Sequence, residues 1–146
     1  MTTLSTASNE HRHYARYHTE AIAGSRVSDW TGPFTAFTNN HVNHPGDAHV
    51  WLIERKNDRY FLQAVFTIDN VGEAAPGGEM NLANQVQGHA GIRFIDLEIG
   101  TQPWWKEFFK SIGNGGLGIC TIRAEYVKQL QKFTGIQLQQ TGFIVA

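Results

Sequence analysis

His49-Val50-Trp51-Leu52-Ile53-Glu54-Arg55-Lys56-Asn57-Asp58-Arg59-Tyr60-Phe61-Leu62-Gln63-Ala64-Val65-Phe66-Thr67-Ile68 is the stretch whose reading decides the fold. Two strand-like runs, Val50 to Ile53 and Tyr60 to Ile68, flank the polar turn Lys56-Asn57-Asp58. In the second run Tyr60, Leu62, Ala64, Phe66 and Ile68 recur at every other position, which predicts one buried face of a strand. The stretch therefore reads as a β-hairpin, with strands at about 50–55 and 60–68.

Toward the C-terminus the hydrophobic period changes. Ile92 to Ile99 is almost continuously apolar, broken only by Arg93, Asp96 and Glu98, as expected of a strand covered on both faces. A helix is predicted over 102–112: Thr101 can cap it, Pro103 suits its first turn, and Trp104, Phe108 and Ile112 recur at four-residue spacing. Gly113-Asn114-Gly115-Gly116 stops it. A strand at 117–123 follows, then a helix at 124–134 with Val127, Leu130 and Phe133 inward and Gly135 just past its end. A strand at 136–145, bent at Gly142, closes the chain. Strand-helix-strand-helix-strand implies parallel neighbours joined by right-handed crossovers. With the hairpin added, the fold class is α/β: a single mixed β-sheet with crossover helices.

On the N-terminal side the signals are weaker. Ser8 to Ala23 has few breakers and reads as a helix capped by Ser8 or Asn9. Ser25 to Gly46 mixes turn signals with one short apolar stretch, Phe34 to Phe37. Residues 1–47 thus read as a helix and an irregular segment, and 48–146 as the mixed-sheet core, all in one domain. Between hairpin and tail, Asn70 to Gly91 lacks periodicity and holds Gly72, Pro76, Gly77, Gly78 and Gly88, which reads as a long loop able to serve as a lid.

Composition bounds the function classes. The chain has 146 residues, 41% of them hydrophobic, which suffices for a packed core. Lysine plus arginine number 12 against 13 acids, so charge offers no support for nucleic acid or an anionic membrane as partner. No apolar run approaches the roughly 20 residues of a membrane span. Met1 to Ser8 lacks the apolar stretch of a signal peptide, and the lone Cys120 fits a reducing compartment, so a cytoplasmic location is expected. The expected partner is a small molecule, with self-association an open possibility.

The element order and several segments resemble the acyl-CoA N-acyltransferase (GNAT) superfamily. His49 to Val65 is similar to its opening strand pair, Ile92 to Ile99 to its splayed fourth strand, and Tyr126 to Phe143, ending Thr-Gly-Phe, to its final helix and the Leu-Tyr-Glu-Lys-Leu-Gly-Phe ending of that helix. The resemblance implies transfer of an acyl group from acyl-CoA to an amine. It implies Glu98 as general base, the backbone of Leu97 to Gly100 positioning the cofactor, and Ile99, Gln102 and Lys106 beside it. Where the family has a glycine-rich pyrophosphate turn, this chain reads Gly100-Thr101-Gln102-Pro103-Trp104-Trp105-Lys106. Proline removes an N–H donor there and two tryptophans fill space the family keeps small. That departure supports an alternative: a noncatalytic binding or assembly protein of phage type that keeps the fold. A third reading is an enzyme or sequestering protein for a small nucleotide metabolite.

Candidate site residues also follow from chemistry. Asp96 and Glu98 alternate on one predicted strand and so share a face, where paired carboxylates can orient an amine or take its proton. His41, His44 and His49 surround Pro45-Gly46, and imidazoles gathered by a loop can bind a metal, although the spacing matches no known signature; no metal is expected. Cys120 reads as a buried strand residue. Trp104 and Trp105 read as packing anchors that can also stack on a base or acyl chain. The glycines from Gly113 to Gly118 precede a strand rather than a helix, so they read as a connector and not a phosphate loop.

Overall fold

The computed structural model of the chain describes residues 13–18, 32–38, 48–73, 84–113, 119–139 and 142–144. The expected hairpin is present: β3 (His49–Lys56) and β4 (Arg59–Thr67) are antiparallel. Asn57 and Asp58 carry φ of 53° and 61°, so both central turn residues are left-handed. That is the twist-matched two-residue turn, and Asn and Asp tolerate it better than most side chains.

β4 does not keep the expected single face. The pairing slips between Leu52 and Ile53, leaving Gln63 as an extra residue. Parity reverses there. Tyr60 and Leu62 face one core, while Ala64, Phe66 and Ile68 face another. The hairpin thereby feeds both sides of its sheet.

That sheet has five strands in the order β7-β4-β3-β1-β8, where β1 is His13–His18, β7 Gly91–Arg93 and β8 Ile119–Thr121. The helix expected at 8–23 is corrected: its described part, 13–18, is a strand paired with β3 on one side and β8 on the other. Hydrogen bonding on both flanks overrides a helical signal that rested on little more than the lack of breakers. The single sheet is also corrected. β2 (Phe34–Thr38), β6 (Asn84–Gly88) and β5 (Asn70–Glu73) form a second, three-stranded sheet, and β9 (Gln137–Gln139) and β10 (Gly142–Ile144) form a small hairpin where one strand was expected. The stretch 70–91, expected to be a loop, thus contains two strands. Their sequences are polar because few of their side chains, Val86 foremost, reach the core.

β4-β5 and β6-β7 are one bent ribbon. Phe66 pairs with Gly91 before the bend and Asn70 with Gln87 after it, in an unchanged register. The ribbon passes from the five-stranded sheet into the three-stranded one at Thr67–Asn70 and Gly88–Ala90. The turn is tight enough to require glycine: a Cβ on Gly88 would lie 1.9 Å from the Thr67 carbonyl oxygen, and one on Gly91 would lie 2.7 Å from the Phe34 ring.

The helices lie on the other face. α1 (Trp105–Ser111) and α2 (Ala124–Thr134) fall within the expected spans. Thr101 does not cap α1; a turn intervenes and the helix starts after Trp104. Gly135, at φ 73°, ends α2 as expected. The expected parallel neighbours are corrected as well. β7 and β8 lie at opposite edges of the sheet, and the pairings between them make them antiparallel.

Three layers result, with a core in each gap. Tyr14, Val50, Leu52, Ala64, Phe66 and Ile119 meet Phe34, Ala36 and Val86 of the smaller sheet. Trp51, Ile53, Leu62 and Val65 meet Trp105, Phe108, Ile112, Val127 and Leu130 under the helices. Burying such side chains stabilises by roughly 1.5–3 kcal/mol each, which holds both cores together. No helix among the described residues is long and apolar enough to cross a membrane.

Candidate functional site

The expected strand 92–99 is interrupted in its middle. β7 ends at Arg93; the Phe94 N–H donates to the Gln63 carbonyl at 2.9 Å, and the Leu62 N–H to the Leu97 carbonyl at 2.9 Å. Ile95 and Asp96 loop out between those bonds, opposite the extra residue of β4. Asp96 adopts φ 50°, and Ile95 is 88% exposed. Pairing resumes with a bridge between Phe61 and Glu98.

Asp96 and Glu98 remain together, but around a bend rather than along a flat strand. With Lys56, Asn57, Arg59 and Phe61 they line a cleft of about 340 Å³ beside the β3–β4 turn. Cross-strand partners share a face, so Lys56 beside Arg59 and Phe61 beside Glu98 come to one side of the sheet. Glu98 is held by a two-point bond: Arg59 Nε donates to one carboxylate oxygen at 3.0 Å, and the second guanidinium nitrogen donates to the other. This carboxylate holds the Arg59 pKa above its ordinary value. Arg55 pairs with Asp58 across the turn, and that bond likewise raises its pKa. Among the described residues the side chain of neither Lys56 nor Asp96 has a hydrogen-bond or ion-pair partner.

The backbone expected to hold a cofactor is engaged within the chain. The N–H groups of Ile99 and Gly100 both donate to the Tyr60 carbonyl, at 3.0 and 3.2 Å, and the Leu97 carbonyl accepts from Leu62. Ile99 is fully buried in the helix-side core. Gln102 faces a different groove, formed with Pro103, Trp104, Gln129, Lys132 and Phe133. Lys106 is exposed on α1 and lines neither hollow.

The tryptophan pair divides its work. Trp105 is buried and stacks on Phe109 at 4.9 Å, with Tyr60 at 4.8 Å. Trp104 is half-buried on the rim of the groove. Cys120 is half-buried in β8, and burial raises its thiol pKa despite the Arg16 charge nearby, which fits a space-filling residue rather than a nucleophile. His41 and His44 lie outside the described residues, and among those described no three His, Cys, Asp or Glu side chains gather as a metal would need.

His49 belongs to a buried polar cluster instead. The Trp51 indole N–H donates to His13 Nδ1 at 3.2 Å, the two imidazoles lie 5.1 Å apart, and His49 Nδ1 meets the Thr67 hydroxyl at 3.3 Å. Burial, and then the neighbouring His49, lower the His13 pKa to about 3. The bond from Trp51 occupies the nitrogen that a metal or a proton would take there.

Sequence reasoning missed Lys56, Arg59 and Phe61, and on the groove Gln129 and Lys132. The cations beside the turn were visible, but nothing in the sequence pairs Arg59 with a carboxylate 39 residues away. Compared with protein-family models, curated proteins and solved structures, the chain matches none.

Proposed function

We propose that the chain acts by binding rather than by turnover, and that the cleft beside the β3–β4 turn holds a small dipolar molecule. One observation carries this reading. Arg59 and Glu98 satisfy each other, which leaves Lys56 and Asp96 as opposite charges on the same lining with no partner among the described residues. A ligand bearing both an acid and an amine, such as a free amino acid, matches both at once. The Phe61 ring offers its carbon skeleton an apolar contact.

Acyl transfer from acyl-CoA is the competing reading. It takes Glu98 as base, and the bond to Arg59 would have to open first. It also takes the N–H groups of Ile99 and Gly100, which donate to Tyr60. Both features support binding over acyl transfer, as do Pro103, Trp104 and Trp105 in place of a glycine-rich turn.

Heteronuclear NMR titration with free amino acids and, separately, with acetyl-CoA tests the reading. The expected result is that a zwitterion shifts the amides of Lys56, Asn57 and Asp96, and that Lys56→Ala and Asp96→Asn each weaken it by about tenfold. Silence with every amino acid overturns the proposal. Acetyl-CoA binding, with acyl transfer lost in Glu98→Gln, installs the competing reading in its place.

A further inference from the structure

The second hollow shares no residue with the cleft and has a different chemistry. It is a groove of about 360 Å³ between the turn that precedes α1 and the side of α2, lined by Gln102, Pro103, Trp104, Gln129, Lys132 and Phe133. Its size lies within the range of small-molecule sites. We propose that it binds a nucleoside monophosphate, with the base against the two rings and the phosphate at Lys132.

The rings come first. Trp104 and Phe133 stand nearly perpendicular, 6.1 Å apart at 81°, and Phe108 fixes Trp104 from behind at 5.8 Å. Both rings of the pair are only half-buried. The core does not need them exposed, because Trp105, one residue on, supplies the buried anchor. A partly open pair of aromatic rings, held in place from behind, offers a face on which a planar base can stack.

The polar lining narrows the ligand class. Gln102 and Gln129 each bring a primary amide, which donates and accepts side by side and so suits the mixed edge of a nucleobase. Pro103 has no N–H to compete. Among the described residues Lys132 is the one ionised side chain on the lining and no carboxylate accompanies it, which selects an anion rather than a cation as ligand. An inorganic phosphate would leave the rings unused, and a neutral sugar would leave the lysine unused. A nucleotide uses all three.

Calorimetric titration of the whole chain with each common nucleoside monophosphate tests this, with the matching nucleosides, inorganic phosphate and a methyl pyranoside alongside. At least one monophosphate is expected to bind below about 1 mM. Lys132→Ala should weaken the monophosphate at least about fivefold and leave the nucleoside unchanged, whereas Gln129→Ala should weaken both. Lys132 and Gln129 are exposed, so these variants keep the fold; Trp104→Phe then probes the stacking surface without emptying it. No binding of any monophosphate at about 10 mM overturns the proposal. So does binding that survives both Lys132→Ala and Gln129→Ala, or a pyranoside that binds more tightly than the nucleotides. Because Lys56 and Asp96 take no part, the two sites stand or fall separately.

Discussion

The bent ribbon departs from regular pairing at two places, and they differ in how the space around the backbone is filled. At the corner, Gly88 and Gly91 bring backbone against backbone and ring, and pairing continues beyond in the same register. At the break, Ile95 and Asp96 turn out into water opposite an extra residue. The corner is filled until no methyl group fits. The break has a positive φ at a residue other than glycine, a fully paired carboxylate beside it and, within it, one without a partner among the described residues. Departures that close up hold layers together; those left open place polar groups where a ligand can reach them.

The sharpest way to break this comparison is at the corner. Gly88→Ala would put a methyl group against the Thr67 carbonyl, and backbone cannot swing aside as a side chain would. The expected loss is more than about 3 kcal/mol, read by urea denaturation. A loss under about 1 kcal/mol would show that the corner yields, and that the contrast with the break is one of degree.

Acid should loosen the corner end as well. Thr67, at the corner, meets His49, which lies beside His13, and His13 is held neutral with a pKa near 3 in place of 6.5. Below pH 6.5 the unfolded chain binds a proton there that the folded chain refuses until about pH 3. Stability from this group is therefore complete above pH 6.5 and falls by up to about 1.4 kcal/mol per pH unit between those values. Denaturation across that window should show a slope shallower by about one proton in His13→Gln, which keeps an acceptor for the Trp51 N–H. An unchanged slope would remove His13 from the account.

Smaller effects are expected at the break. Asp96→Val should cost about 1–2 kcal/mol, since a β-branched side chain fits badly at φ 50°, whereas Asp96→Gly should cost almost nothing. Equal losses would mean that contacts of the carboxylate, not the backbone, hold the bend. Ile95→Ser should stay within about 0.5 kcal/mol in either direction, because the side chain touches little but water. A larger loss in thermal melting would mean that Ile95 is covered, by a second copy of the chain or another partner.

What could be read in the sequence follows from where each signal lies. Both helices and the hairpin turn were legible because their causes are local: the four-residue spacing from Trp104 to Ile112, Gly135 past the end of α2, and Asn57-Asp58 between two apolar runs. β1 was misread because its strand state depends on partners more than 30 residues ahead on one side and more than 100 on the other. β5 and β6 were hidden because a sheet covered on one face needs few apolar residues, and Val86 alone says little. In the site, the nearness of Asp96 and Glu98 was legible from their spacing. Their different circumstances were not, because Arg59 reaches Glu98 across the ladder and Asp96 turns on an interruption that the apolar run concealed.

Gln63 sets the phase of the whole hairpin. Toward the turn, Tyr60 and Leu62 belong to the helix side; beyond Gln63, Ala64, Phe66 and Ile68 belong to the other layer, and the two halves differ by one residue of frame. Removing Gln63 alone would bring the halves into step and send one set of side chains to the wrong layer, with Lys56, Arg59 and Glu98 displaced relative to each other. Removing two residues from the same place would preserve the offset and only shorten the arm. The length of this strand is thus constrained in parity more than in magnitude, and natural variation in it should come in pairs.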